Sequence, residues 1–124
     1  MKHSVSFVIT GPPRTKKNHG RRIMRGGRVY SIPSEAYETW DASAMVQLKK
    51  QFSGDPIASE VNCRALFFRH ANVGDAVGFY QALADTLEHA GVLTNDQLIR
   101  SWDGSRLLKD KDNPRVIVTL EISE

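Results

Sequence analysis

The chain has 124 residues, of which 40% are hydrophobic, a net charge of +3 and a single cysteine, Cys63. Its length and apolar content suit one domain, residues 1–124, with one core. One cysteine excludes an intramolecular disulfide, and no spacing of Cys and His suits zinc. No apolar run approaches a membrane span and no apolar signal core stands at the beginning, so the sequence predicts a soluble, cytoplasmic protein.

The positive charge is concentrated at the beginning of the chain. Residues 1–34 hold eight of the 17 Lys and Arg residues and no Asp or Glu, whereas the rest of the chain holds nine Lys and Arg against all 14 Asp and Glu. The basic residues fall in a segment rich in Gly, Pro and Asn, which predicts a loop in which no helix needs them for solubility. This pattern favours an anionic partner, nucleic acid, over a merely solvated basic surface.

The first half of the chain predicts a strand and a helix on either side of that basic loop. Residues 3–10 alternate, with Val5, Phe7 and Ile9 on one face, and Gly11-Pro12-Pro13 ends the strand. Ser34 is a suitable cap for a helix over residues 35–52. Its apolar face comprises Tyr37, Trp40, Ala44, Leu48 and Phe52. This helical spacing favours core packing of Tyr37 and Trp40 over stacking on bases.

The middle of the chain predicts a central strand followed by a second helix. Residues 59–70 place Val61, Cys63, Ala65 and Phe67 on one side and Leu66 and Phe68 on a second apolar side. Such a strand is covered on both sides, with Cys63 as a buried structural thiol. Asp75 then precedes a helical set formed by Phe79, Leu83 and Leu87 with Tyr80 and Ala84. Gly91, after His89, is the expected C-cap.

The end of the chain predicts two further strands. Residues 97–105 include Ile99 and Trp102 and end at the turn signal Asp103-Gly104. Arg106, Lys109 and Lys111 form a second, weaker basic cluster. After Pro114, an alternating set predicts the last strand: Val116, Val118, Leu120 and Ile122. The order β, β, α, β, α, β, β predicts one small α+β domain with a mixed sheet and two main helices.

Several short motifs occur in a fixed order along the chain. They are Arg14-Thr15-Lys16-Lys17-Asn18-His19, Pro33-Ser34-Glu35-Ala36-Tyr37, Asp75, Asp85-Thr86-Leu87 and Asn95-Asp96. In order and spacing these motifs resemble those of the RusA family of Holliday junction resolvases. That family has an Asp-x-Asp-Asn motif at a helix start, a Lys further along the helix, an Asp-Ala-Leu run and an Asp-Asp pair. In this sequence Val77 stands in place of the second Asp, Gly78 in place of the Asn and Gln81 in place of the Lys.

The resemblance implies a homodimeric RusA-like endonuclease that recognises four-way DNA junctions and makes paired nicks with Mg²⁺ or Mn²⁺, in DNA recombination and repair. It implies Asp75 and Asp96 as catalytic metal ligands and places Gln81 at a catalytic position, where an amide donates a hydrogen bond but carries no charge. The residues expected to bind DNA are Arg14, Lys16, Lys17, Asn18, Arg21, Arg22, Arg25, Arg28 and Arg69. Arg69 or a lysine of the basic loop is a candidate to supply the positive charge that Gln81 lacks.

The sequence also bears on how the metal and the second subunit are arranged. Mg²⁺ often needs only one or two carboxylates, so Val77 weakens the implied metal site without abolishing it. Ten helical residues span about 15 Å, and paired metals lie only about 4 Å apart. Asp85 therefore shares no metal with Asp75 and is interpreted as structural, paired with an arginine.

A two-fold dimer suits a junction that is cut at two equivalent points. The apolar side of Leu66 and Phe68 is either its interface or covered by this chain's own helix.

Three functions remain open on the sequence alone. The first is an active metal-dependent resolvase. The second is a catalytically silent, structure-selective descendant that binds junctions, with Val77 as the cause. The third is a general basic domain for duplex DNA or RNA, which predicts equal affinity for linear and branched substrates. Each of these residues also has a purely structural interpretation: Asp75 as a helix cap, Asp96 as a turn residue and His70 as a surface residue. The functional alternative for His70 is a proton carrier or a phosphate contact.

Overall fold

Seven strands and two helices make up the part of the chain that the structure describes. The computed structural model describes residues 2–16, 21–32 and 34–123, with the backbone alone for Lys2, residues 21–23 and residues 29–32. The elements are β1 (Lys2–Thr10), β2 (Arg21–Arg25), β3 (Arg28–Ile32), α1 (Glu35–Gln51), β4 (Val61–Arg69), α2 (Ala76–His89), β5 (Ile99–Ser101), β6 (Arg106–Lys109) and β7 (Arg115–Ser123). Among these residues neither helix combines the length and the apolar character that crossing a membrane requires.

The main sheet has five strands and is mixed. Strands β1, β7, β4 and β5 lie side by side in that order, and β6 also pairs with β4. β7 is antiparallel to both β1 and β4, whereas β5 and β6 run parallel to β4. Both parallel strands reach the same edge of β4, with β5 at its beginning and β6 at its end. The predicted α+β fold with a mixed sheet and two helices is confirmed.

One face of the sheet carries both helices, and the core lies between them. The alternation predicted for β4 is confirmed, since Val61, Cys63, Ala65 and Phe67 are buried, and burial raises the pKa of the Cys63 thiol. The predicted face of α1 is buried through Tyr37, Trp40, Ala44 and Leu48. The buried residues of α2 are Phe79, Ala82, Leu83, Thr86 and Leu87. Apolar residues at helical spacing therefore position α2, with Asp75 at its beginning, against the central strand.

Strand β1 forms an edge of the sheet, and two glutamines of α1 bind its outward backbone groups. The side-chain amide of Gln51 accepts from the Val8 amide at 2.9 Å and donates to the Val8 carbonyl at 2.8 Å. Gln47 does the same for Thr10, at 2.8 Å and 3.1 Å. The outward backbone groups of Val8 and Thr10, in the second half of this edge, are thus satisfied within the chain.

The basic segment contains a hairpin, and its interpretation as one loop was wrong. Strands β2 and β3 pair in a separate two-stranded sheet, so three strands precede α1, whereas the predicted order has two. The turn between them is Gly26-Gly27, whose φ angles are 55° and 77°. Two consecutive positive φ angles are the geometry of the tight hairpin turn that suits the right-handed twist of strands. The exposed Arg25 and Arg28 flank this turn.

The segment after α2 differs from its prediction in three respects. The helix ends with Ala90 as its C-cap, and Gly91 is the following residue, with φ of 76°. Gly91 donates to the Glu88 carbonyl and Val92 to the Leu87 carbonyl, which is the Schellman arrangement. Residues 97–105 are not one strand, because a 3₁₀ turn, Asp96–Leu98, precedes the three-residue β5. Strand β6 was not predicted, since its only apolar pair, Leu107 and Leu108, lies between two basic residues.

Candidate active site

Asp75 is presented at the beginning of α2 by a short loop that follows β4. It is the N-cap of α2, and its Oδ1 accepts a hydrogen bond from the Gly78 amide at 3.2 Å. Arg69, the last residue of β4, donates from Nε to the Leu108 carbonyl at 3.2 Å and from Nη1 to the Val73 carbonyl at 3.4 Å. Arg69 therefore holds the loop that carries Asp75. Its predicted contact with DNA stays a prediction.

Two glycines allow close packing around Asp75. Gly74 has φ of 81°, and a Cβ there would lie 2.5 Å from Cζ of Phe79. A Cβ at Gly78 would lie 2.5 Å from Asp75 Oδ1 and 3.0 Å from Cγ2 of Thr15. The absence of side chains at these positions thus lets the first turn of α2 cap itself with Asp75 while Thr15 packs against it.

The loop after β1 places Lys16 across α2. Thr15 is buried, which fixes the loop, and the Lys16 ammonium forms an ion pair with the Asp85 carboxylate. The same ammonium lies 5.7 Å from the ring centroid of Tyr37, which is within cation–π range. Asp85 is therefore an ion-pair residue as interpreted from the sequence, but its partner is this lysine and not an arginine.

Asp96 lies beside the second half of α2. Its backbone amide donates to Glu88 Oε1 at 2.8 Å, and its carboxyl is within hydrogen-bonding reach of Asp85. Burial, the hydrogen bond with Asp85 and the negative charges of Glu88 and Asp85 raise the pKa of Asp96 above its ordinary value, whereas Lys16 lowers it. Lys16 thus stabilises two carboxylates that would otherwise repel each other.

The coupling of Asp96 to Asp85 has a testable titration. We expect Asp85→Ala to lower the Asp96 pKa, because it removes both a hydrogen bond and a negative charge that raise it. In the folded wild type the raised pKa means that Asp96 binds its proton more tightly than in the unfolded chain. Its ionisation therefore lowers the free energy of unfolding as pH rises through the interval above 3.8. The Asp96 carboxyl carbon, followed by NMR, measures the shift.

The matched control for this titration is Lys16→Met. Loss of the ammonium that lowers the Asp96 pKa should move that pKa upward, opposite to the effect of Asp85→Ala. Movement of both variants in the same direction would contradict the assigned contacts.

Two adjoining clefts divide the candidate residues between them. The first, of about 130 Å³, is lined by Thr15, Lys16, Asp75, Val77, Gly78 and Gln81. The second, of about 340 Å³, is lined by Val77, Tyr80, Gln81, Ala84, Asp96, Gln97, Ile99 and Trp102. Val77 and Gln81 line both clefts, so Asp75 and Asp96 lie on either side of them. Within residues 2–16, 21–32 and 34–123 no group of three or more His, Cys, Asp or Glu side chains is placed to hold a metal.

The basic loop and the acidic helix thus meet in one site. The sequence of the chain is also similar to that of a known protein. Over 96 residues the chain is 34% identical to crossover junction endodeoxyribonuclease RusA of Aquifex aeolicus (strain VF5), covering 77% of this chain and 74% of that protein. The chain belongs to the RusA family. No model of a known protein family matches the chain. The identity to the Aquifex aeolicus protein confirms the resemblance inferred from the motifs.

The other residues that were expected to bind DNA lie in different parts of the structure. Arg14 is half-buried in a groove between the loop after β1 and α1, and Arg25 and Arg28 are exposed at the hairpin turn. Arg21 and Arg22 lie in β2, where only the backbone is described. Lys17 and Asn18 lie outside the described residues. The roles of all these residues in DNA binding stay predictions.

Three side chains of this RusA-family site were not recognised from the sequence as parts of one site. Lys16 was assigned to DNA binding, and a lysine of the basic loop was a candidate for the charge missing at Gln81; the structure pairs Lys16 with Asp85 and places it in the cleft of Asp75. Tyr80 and Trp102 line the cleft of Asp96, although the sequence assigned Tyr80 to the helix core and Trp102 to a strand. The available signal for Trp102 was an aromatic residue beside the turn Asp103-Gly104. His70 is half-buried, and its Nδ1 has no hydrogen-bond partner among the described residues.

Proposed function

We propose that this protein is a metal-dependent endodeoxyribonuclease that resolves four-way DNA junctions by paired nicks, as a cytoplasmic homodimer in recombination and repair. The observation that carries the proposal is the meeting of the basic loop and the acidic helix. Lys16 from the loop and Asp75 from the helix line one cleft, in a chain that belongs to the RusA family. This combination suits phosphodiester cleavage, since a cation neutralises charge on the phosphate beside the groups that activate water.

The donor set fits a hard cation. Asp75 and Asp96 supply carboxylate oxygens, the ligands that Mg²⁺ and Mn²⁺ prefer, and Mg²⁺ commonly uses only one or two of them with water and substrate oxygens. Asp75 is exposed, and among residues 2–16, 21–32 and 34–123 its Oδ1 accepts from the Gly78 amide. A bound metal would supply an activated water and neutralise charge on the attacked phosphate. Asp75 and Asp96 are the residues that would hold metal, each from its own cleft, because Asp96 lies beside Asp85 of the second half of α2.

Lys16 and Gln81 bind and orient the phosphate in this proposal. The two side chains line the cleft of Asp75 together, and the exposed Gln81 amide donates a hydrogen bond without adding charge. The ammonium of Lys16 supplies the positive charge that Gln81 lacks. Its ion pair with Asp85 and its contact with the Tyr37 ring keep the flexible lysine close to the cleft before DNA binds.

The face of the sheet opposite the helices supports the proposed dimer. Val8 is 43% exposed, and the strand register places Ile117 beside it and Leu66 beside Ile117. Phe68 lies on the same face, with the Arg115 guanidinium 3.9 Å from its ring centroid. Leu66 and Phe68 stand outside the core formed with the two helices. Two copies joined through such a face would present two equivalent sites to a junction.

The test is incubation of the protein with a labelled four-way junction and a matched linear duplex, each with Mg²⁺, Mn²⁺ or chelator. The proposal expects symmetric paired nicks in the junction alone, and only with metal. Equal affinity for the linear duplex across a salt series would instead support a general basic nucleic-acid-binding domain. Single unpaired nicks would contradict the dimer.

A second candidate, a junction-binding protein without catalysis, is favoured by one specific observation. Val77 is 61% exposed and separates the cleft of Asp75 from that of Asp96, at the position where the family motif has an acid. This candidate predicts tight junction binding without cleavage in any divalent metal.

The substitution Val77→Asp distinguishes the two candidates. Because Val77 lines both clefts, a carboxylate there adds an oxygen ligand between Asp75 and Asp96. For an active enzyme we expect the Mg²⁺ concentration at half-maximal cleavage to fall about tenfold, since ligand charge sets affinity for hard cations. For a silent protein, cleavage should appear only in the variant. The cleavage rate is measured over a Mg²⁺ titration.

The isosteric control is Val77→Asn, which adds a polar side chain of similar size without the charge. It should leave the Mg²⁺ dependence close to that of the wild type. An equal gain in the Asn and Asp variants would show that polarity at this position, and not a new metal ligand, is responsible.

A further inference from the structure

Four aromatic rings contact one another in series from the core to the cleft of Asp96, and the last two of them are stacked. Phe79 and Phe67, both buried, have ring centroids 5.2 Å apart at an interplanar angle of 24°. Phe67 lies 6.0 Å from Tyr80 at 35°, and Tyr80 lies 4.4 Å from Trp102 at 5°. Tyr80 and Trp102 are only half-buried and line the cleft. The series therefore ends with nearly parallel rings at the surface.

The end of the series is held rigidly from both sides. Oδ1 of Asn62 accepts from the Ser101 hydroxyl at 2.6 Å and from the Asp103 amide at 2.8 Å. Its Nδ2 donates to the Asp103 carbonyl at 3.1 Å and to Glu121 Oε1 at 2.7 Å. The residues before and after Trp102 are thus fixed to the central strand. A rigid aromatic ring loses little entropy when a ligand stacks on it.

The lining of this cleft suits a flat, neutral group that forms hydrogen bonds. Val77 and the rings of Tyr80 and Trp102 form an apolar wall, and the exposed amides of Gln81 and Gln97 offer both donors and acceptors. The charged group of the lining is the Asp96 carboxyl, which in the absence of metal repels phosphate. Lys16, which attracts phosphate, lies in the adjoining cleft. The two clefts thus differ in the chemistry that they accept.

We propose that the cleft of Trp102 binds one unstacked nucleobase of the DNA, while the adjoining cleft of Lys16 binds the backbone phosphate. The base extends the Tyr80–Trp102 stack, and the Gln97 amide contacts its edge, whereas the Gln81 amide, which lines both clefts, contacts the phosphate. The proposal rests on the proposed function in so far as the chain binds DNA, but it does not require cleavage. Of the base, sugar and phosphate of a nucleotide, only the base has both the planar face and the neutral edge that this lining matches.

The site would contribute to selectivity for branched DNA. In a linear duplex every base is stacked between neighbours, and taking one out costs a few kcal/mol. At the branch point of a junction the continuous stacking is interrupted, so a base is available at lower cost. A cleft that accepts only an unstacked base therefore favours junctions and single strands over linear duplex.

The two tryptophans of the chain make the proposal directly testable. Trp40 is buried beneath the groove of Arg14, and Trp102 lines the cleft, so quenching by a stacked base is the part of the signal that requires Trp102. The protein is titrated in chelator with a four-way junction, a single strand and a linear duplex. We expect quenching by the first two and not by the linear duplex. In Trp102→Leu the quenching should disappear, and junction affinity should fall about tenfold, as for the loss of one base–aromatic stack.

Three further variants control for structure. Trp102→Phe keeps a ring and should retain most of the affinity for the junction. Gln97→Ala alters the exposed edge of the cleft without touching the core and should weaken junction binding a few-fold. Val46→Ala, at a 55% exposed position of α1, should leave binding unchanged. Equal quenching by linear duplex, or unchanged junction affinity in both Trp102→Leu and Gln97→Ala, would overturn the proposal.

The outcomes separate this inference from the proposed function. Junction cleavage without any response of Trp102 would reject the base site and leave the nuclease assignment in place. Quenching of Trp102 with no cleavage in any metal would support the base site and reject the nuclease assignment. A chain that binds no DNA would reject both.

Discussion

Asp75→Asn and Asp96→Asn variants are expected to bind a four-way junction as tightly as the wild type and to cleave it at least about 100-fold more slowly. A metal ion stabilises charge in a hydrolytic transition state by several kcal/mol, and each 1.4 kcal/mol corresponds to about tenfold in rate. Replacement of a carboxylate by an amide removes the negative charge that holds the cation. Single-turnover cleavage measures the rate, and a gel-shift titration in chelator measures the binding.

Both substitutions preserve the local structure, so a loss of cleavage would reflect chemistry. Asparagine is as good an N-cap as aspartate, and its Oδ1 accepts from the Gly78 amide in the same way. Asp96 is held through its own backbone amide, which donates to Glu88 in either variant. The matched control is Asp112→Asn, an exposed aspartate of the turn before β7. Wild-type cleavage by the Asp75 or the Asp96 variant would remove that residue from the site.

Phe67→Ala is expected to lower the free energy of unfolding by about 3–5 kcal/mol, the usual cost of truncating a fully buried phenylalanine. Phe67 is 1% exposed and contacts the rings of both Phe79 and Tyr80. Its removal leaves a cavity between the central strand and α2, the helix that carries Asp75. Urea unfolding, monitored by far-UV circular dichroism, measures the loss.

The neighbouring Phe68→Ala is the matched control, because it makes the same chemical change one residue along β4. Phe68 points to the opposite face, where it is half-buried beneath the Arg115 guanidinium. For Phe68→Ala we expect the free energy of unfolding to fall by about 1–2 kcal/mol, because a cation–π contact and a partly buried ring are lost. Both variants are compared at protein concentrations that keep the chain monomeric, so that the proposed dimer does not cover Phe68. Under those conditions, equal losses for Phe67 and Phe68 would contradict the position of the core.

The elements that the sequence predicts well are those whose apolar residues repeat over several turns or strand positions. The buried face of α1 and the alternation of β4 each rest on four regularly spaced residues, and both are confirmed. β6 has only Leu107 and Leu108 between two basic residues, so its pairing with β4 depends on a partner distant in sequence. For the hairpin of β2 and β3 a local signal existed in Gly26-Gly27, and the density of basic residues obscured it.

The site itself depends on contacts that no local pattern specifies. The sequence places Asp75 at a helix start because capping is a property of neighbouring residues, and that position is confirmed. The pairing of Lys16 with Asp85 requires the loop after β1 to cross α2, and this follows from the burial of Thr15 and the space left at Gly78. Likewise, the proximity of Asp96 to Asp85 is set by how the chain turns back after Gly91.

The glutamines along β1 have a consequence for how this protein behaves in concentrated solution. An exposed strand edge is a template on which another chain can add a strand, which leads to aggregates. Here an incoming strand would first have to break the hydrogen bonds that Gln47 and Gln51 make to the backbone of Thr10 and Val8. These bonds form only once α1 has docked beside β1. Resistance to fibrillar association at this edge is therefore a property of the folded state, and partly folded chains lack it.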